Sequence, residues 1–183
     1  MKTRGSPLLV GVLVLAVLTT TYASAADKYV SPDFGFAAAY PGNVVRSQVT
    51  SDVATFVASA PGDAWVAQVK VTQNVVMPQD ITKDFTDAKL AEVLKANGMT
   101  QTGASSYSKL RGNRVVLARA TFYINNPDTN YVTYPVVADM KLIFVTGQSL
   151  VTGQNRLYFV AGWAIQGKDR TGIQPFLDSF ELR

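Results

Sequence analysis

Two residue types are missing from this chain of 183 residues: it has no histidine and no cysteine. Without histidine there is no Ser-His-Asp or Cys-His catalysis and no imidazole-ligated metal. Without cysteine there is no thiol nucleophile, no zinc–thiolate site, no disulfide and no lipid-modified cysteine. Charge is also sparse, at 16% of residues. No run of five basic residues occurs, and there is no second apolar stretch long enough to span a bilayer. Neither a G-x-G-x-x-G fingerprint nor a phosphate loop is present, since Gly147 to Gly153 contains no Gly-Lys-Ser/Thr. No cofactor is expected. The chemistry left open is that of carboxylate pairs, a Ser-Lys dyad, or an oxygen-ligated Ca²⁺ or Mg²⁺. Ser108 and Lys109 are neighbours and point to opposite faces of a strand, which argues against the dyad.

The N-terminus has three parts in a defined order. Lys2 and Arg4 make a positive start, Leu8 to Leu18 is an apolar run, and Ala23-Ser24-Ala25 is a small-x-small site. That is the order of a secretory signal peptide. A membrane span needs about 20 apolar residues, and this run is far shorter. The sequence therefore predicts a signal over residues 1–25, cleaved after Ala25, and a single exported domain over residues 26–183, periplasmic or secreted. Two of the 17 basic residues lie in the signal, leaving 15 against 13 acidic residues, a balance of +2. That is no footprint of a nucleic-acid binder.

Turn residues cut the remainder into short pieces. Phe34 to Tyr40, Val44 to Thr50, Val53 to Ser59 and Ala64 to Thr72 read as four strands of an antiparallel meander, with Pro41-Gly42 and Pro61-Gly62 as turns. The period changes at Phe85, where apolar residues recur at helical spacing. Asn97-Gly98 supplies a stop, predicting a helix over Ile81 to Ala96. Strands follow at Ala104 to Leu110, Val115 to Ile124, Val136 to Thr146 and Arg156 to Ile165. A short helix over Thr171 to Ser179 and an extended Phe180 to Leu182 close the chain. Strands that cluster rather than alternate with helices predict an α+β fold, an antiparallel sheet with helices packed on it.

Three stretches carry a resemblance. Ser31-Pro32-Asp33-Phe34-Gly35-Phe36 through Tyr40-Pro41-Gly42 is similar to the SPD-x-GF-x-x-x-(F/Y)-PG start of PsbP/Mog-like domains. Phe176-Leu177-Asp178-Ser179-Phe180 resembles their FL-x-SF end, and Arg156-Leu157-Tyr158 resembles the R-x-Y strand before the last helix. The resemblance implies an α/β/α sandwich around a predominantly antiparallel sheet. It also implies an accessory or binding role, since members of this family serve as photosystem subunits or bind a small GTPase. It brings no shared catalytic motif.

The candidate sites are few. Lys109, Arg111, Arg114 and Arg119 crowd one predicted hairpin and form a candidate basic patch for a protein partner; as the charged edge of a strand pair they would instead discourage aggregation. Asp80, Asp84 and Asp87 share one face of the predicted helix, as a cation stripe or as an acidic first turn suited to the helix dipole. The loop Asn125 to Asn130 is rich in oxygen ligands but lacks calcium-loop spacing. Trp65 and Trp163, with Tyr123, Tyr131, Tyr134 and Tyr158, are candidates to line an aromatic pocket. The leading expectation is a non-catalytic exported domain that binds a protein partner. A small-ligand carrier with an aromatic-lined pocket is the alternative. A hydrolase is a remote third, requiring two carboxylates in one cleft.

Overall fold

The computed structural model describes residues 28–50, 52–77, 80–125, 133–145 and 155–183. The expected signal peptide, the residues Asn126 to Asn130 of the polar loop, and Tyr131 lie outside the described residues.

In chain order the elements begin with β1 (Tyr29–Ser31), β2 (Phe36–Ala38), β3 (Val45–Thr50), β4 (Val53–Ser59) and β5 (Val66–Gln73). Then come α1 (Ile81–Asp84), α2 (Asp87–Ala96), β6 (Thr100–Gln101), β7 (Ser106–Leu110), β8 (Asn113–Asn125) and β9 (Thr133–Val145). The chain closes with β10 (Arg156–Ile165), α3 (Ile173–Ser179) and β11 (Glu181–Leu182). Two sheets result. The larger runs β3-β4-β5-β10-β9-β8-β6, with β7 also paired to β8, and the smaller runs β1-β2-β11. Every pairing among the described residues is antiparallel.

The α+β expectation, drawn as an α/β/α sandwich, is not met. The protein is mostly β, with 52% of described residues in strands and 17% in helices. One face of the large sheet is covered by the three-stranded sheet and the seven-residue α3, not by a helical layer. The other face carries α2, whose Leu90 and Leu94 are buried on residues of β8 and β9 such as Val116, Ala120 and Met140. The predicted helix over Ile81 to Ala96 is broken. Thr86 is extended (φ −61°, ψ 161°) and its side chain accepts from the Lys89 N–H, so a new helix begins there and only ten residues remain. The predicted four-strand meander is also divided. Phe36 to Ala38 pairs with β1 and β11 instead, and Pro41-Gly42 carries the chain from one sheet to the other.

The main core lies between the two sheets. Phe36 stacks on Phe180 at 5.7 Å between ring centroids and meets Phe56 edge-on at 5.0 Å. α3 is drawn onto β10 at Gly162, where a Cβ would lie 2.4 Å from Ile173. The three stretches that carry the family resemblance meet here. The Tyr158 hydroxyl donates to the Phe34 carbonyl, the Arg156 Nη2 donates to the Asp33 carbonyl at 3.4 Å, and Phe180 packs on both Phe36 and Tyr158.

Candidate functional site

A helix is roughly 10–12 Å across and strands are spaced about 4.8 Å, so one short helix cannot cover an eight-stranded sheet. α2 sits over β8 and β9 and leaves β10 and β5 open along its flank. An apolar groove of about 430 Å³ occupies that flank. Its floor is low because two small residues, Ala138 on β9 and Ala161 on β10, are diagonal neighbours across the strand pair, Ala138 opposite Trp163 and Ala161 opposite Met140. Phe159 and Trp163 stand two residues to either side of Ala161 on the same face. Phe122 on β8 meets Trp163 edge-on at 5.8 Å, a favoured aromatic geometry. The far bank is β5, where register sets Lys70 opposite Phe159 and Gln68 opposite Ala161.

Trp163 thus lines the groove, but the other described aromatic candidates do not. Trp65 is buried against Phe176 and Gly172 on the opposite face, and Tyr158 is buried there with it. Burial pushes the Tyr158 phenol up, with Arg156 opposing that rise. Tyr123 is 72% exposed. Phe122, Phe159 and the rim residue Lys70 were missed by sequence reasoning. The signal was present in Leu157, Phe159, Ala161 and Trp163, which alternate along one face of β10.

The basic hairpin is divided by the sheet. Lys109 and Arg114 are directly opposite in register on the α2 face, and Arg111 occupies the turn with φ +48°. Arg119 lies on the other face, where its guanidinium pairs with Asp139.

That other face holds a polar cleft of about 520 Å³ between the β7–β8 hairpin and α3. Asp139 and Asp178 both line it. Asp139 is clamped by Arg119 and Arg170, and Asp178 accepts from Lys141 at 2.8 Å and Gln174 at 2.9 Å. The Lys141 hydrogen bond, then that of Gln174, holds Asp178 below the usual carboxylate range. An acid–base pair needs one carboxyl raised toward neutrality, the reverse of what Lys141 does.

Asp80, Asp84 and Asp87 do not form a stripe, because the helix breaks between the last two. Asp84 accepts from the Asp80 N–H at 2.9 Å. Asp87 opens α2 and binds the Ser105 hydroxyl and N–H and the Gln101 amide, which together hold its carboxyl down. Those contacts tie the helix start to the loop before β7. Among the described residues no group of three acids is placed to hold a metal, and no helix is long and apolar enough to cross a membrane.

No family model and no curated protein matches this chain. It is similar to a solved structure from Bacteroides thetaiotaomicron VPI-5482 at 11% identity and a TM-score of 0.46, over 87% of this chain and 49% of that one. The chain spans about half the length of that protein, and the likeness is too distant to speak for fold or function.

Proposed function

We propose that this chain is an exported, non-catalytic binding domain whose ligand lies in the apolar groove along α2. The observation that carries the reading is the open hollow over Ala138 and Ala161, walled by Phe122, Phe159 and Trp163. At about 430 Å³ it is of ligand-site size, which runs from roughly 300 to 1,000 Å³. Protein interiors close such gaps, because an unfilled apolar wall forfeits contact energy. Export is supported by Lys2 and Arg4, the run from Leu8 to Leu18, and Ala23-Ser24-Ala25. Kinship with PsbP/Mog-like domains rests on the three stretches that meet in the core, and it brings no catalytic residue to the groove.

Calorimetric titration of the purified chain with naphthylmethanol, a neutral planar probe, tests this. Saturable binding at one site is expected, weakened about tenfold by Trp163→Ala, the equivalent of about 1.4 kcal/mol. Absence of binding, or binding indifferent to Trp163, overturns it.

A protein partner at the hairpin is the second reading. Its observation is the direct opposition of Lys109 and Arg114 beside Arg111, a cationic edge suited to an acidic surface. Arg119 faces away from Lys109 and Arg114 and is committed to Asp139. Loss of a captured acidic partner on Lys109→Glu with Arg111→Glu supports this reading; an unchanged capture removes it.

A further inference from the structure

We propose that the groove along α2 takes a small amphiphile with an anionic head, its apolar body over Ala161 and its head on the Lys70 ammonium. The proposal rests on the reading of the groove as a ligand site and adds the ligand's chemistry.

Charge in the groove is one-sided. Its lining includes no carboxylate, and Lys70 is the charged side chain among the described residues there. No ion pair joins Lys70 to another described residue. Elsewhere in the described chain Lys28, Lys83, Lys89 and Lys141 each pair with a carboxylate, while Lys95, Lys109 and Lys168 form no such ion pair with a described residue and lie outside the groove. Lys70 instead stands in register between Thr55 on β4 and Phe159 on β10, neither of which offers charge. Lys70 lines the groove and is exposed, so its ammonium is available at the groove's rim while the stem can lie on apolar surface.

The neighbours extend the match. Gln68 and Thr72 flank Lys70 two residues to either side on the same face of β5, and both line the groove. They present an amide and a hydroxyl beside the ammonium, a set that suits the two oxygens of a carboxylate. Behind them the surface turns apolar within one strand spacing, at Phe159, Ala161 and Trp163. A neutral apolar molecule fits the hollow but leaves Lys70 unused, and a cationic one meets it with repulsion. The combination of an aromatic hollow with a polar, cationic bank selects an anionic amphiphile.

The test compares naphthoate with naphthylmethanol, which share the ring system and differ in the head. Both are titrated calorimetrically into the purified chain and into Lys70→Met, with circular dichroism confirming that the variant is folded. Naphthoate is expected to bind roughly fivefold more tightly at low salt, the size of one solvent-exposed ion pair, and to lose that margin at high salt. Lys70→Met should abolish the margin and leave naphthylmethanol unaffected. Equal binding of the two probes by the unaltered chain, or a margin that survives in Lys70→Met, overturns the role of Lys70 and leaves the groove as a neutral site. If neither probe binds, the groove reading itself falls. If the chain sediments as a dimer that both probes fail to dissociate, the groove is a contact between copies and both readings fail.

Discussion

The Tyr158 hydroxyl donates a 2.6 Å hydrogen bond to the Phe34 carbonyl, joining residues 124 positions apart. Both groups are buried. The bond fastens β10 of the large sheet to the segment that enters β2 of the small one, so it holds the two sheets together. Tyr158→Phe removes the donor and leaves a buried carbonyl unsatisfied. The expected loss is about 1–3 kcal/mol, read as a lower urea midpoint with unchanged denaturant slope.

Gly162 answers for the closeness of α3 to β10. Gly162→Ala would set a methyl 2.4 Å from the Ile173 Cγ2, deep in the core. Overpacking of this kind costs roughly 1–3 kcal/mol. Combining it with Ile173→Ala should recover part of that loss, so the two substitutions are expected to be non-additive in a denaturation cycle.

These contacts show how much of the fold was legible. Phe34, Phe36, Tyr158, Phe176 and Phe180 stood out in the sequence as residues of the three resembling stretches, and they meet in one core. Strand positions were legible from turn residues and period two. Partnership was not. Nothing local tells β2 to pair with β11, more than 140 residues later, instead of with β3. The helix break at Thr86 was hidden because apolar spacing ran through it, and the capping role of Thr86 competes locally with helix continuation.

The acid side of the stability profile follows from the carboxylates. Asp87, Asp169, Asp178 and Glu181 are all held below their ordinary values, chiefly by hydrogen bonds from Ser105, Thr171, Lys141 and Lys28 respectively. A depressed carboxyl stabilises the fold above its unfolded pKa, about 4, and that contribution is lost as pH falls through the folded value. With no histidine in the chain, no side chain of ordinary pKa titrates near neutrality. Stability measured by thermal melts is therefore expected to be flat between about pH 5.5 and pH 8 and to fall below about pH 4. Asp178→Asn should shrink the acid-side slope.

The candidate sites were legible unevenly, and for one reason. Sequence adjacency gathered Lys109, Arg111, Arg114 and Arg119 into one patch, yet an odd spacing along a strand sends Arg114 and Arg119 to opposite faces. Arg119 is therefore expected to report on stability rather than on partner binding. Since its side chain is 57% exposed, Arg119→Ala should cost under about 1 kcal/mol in a denaturant melt. The groove, by contrast, is assembled from β5, β8, β9, β10 and α2, and only their pairing brings Lys70 beside Phe159.

Chemical-shift mapping locates a ligand on the α2 face residue by residue. Nitrogen–proton correlation spectra of the purified chain are recorded with increasing naphthylmethanol. Saturating shifts are expected at Gln68, Ala138, Ala161 and Trp163 and their neighbours alone, with the Trp163 indole among the largest and the buried Trp65 indole unmoved. Shifts absent from that set, or centred instead on the polar cleft around Asp139 and Lys141, would contradict a ligand site in the groove.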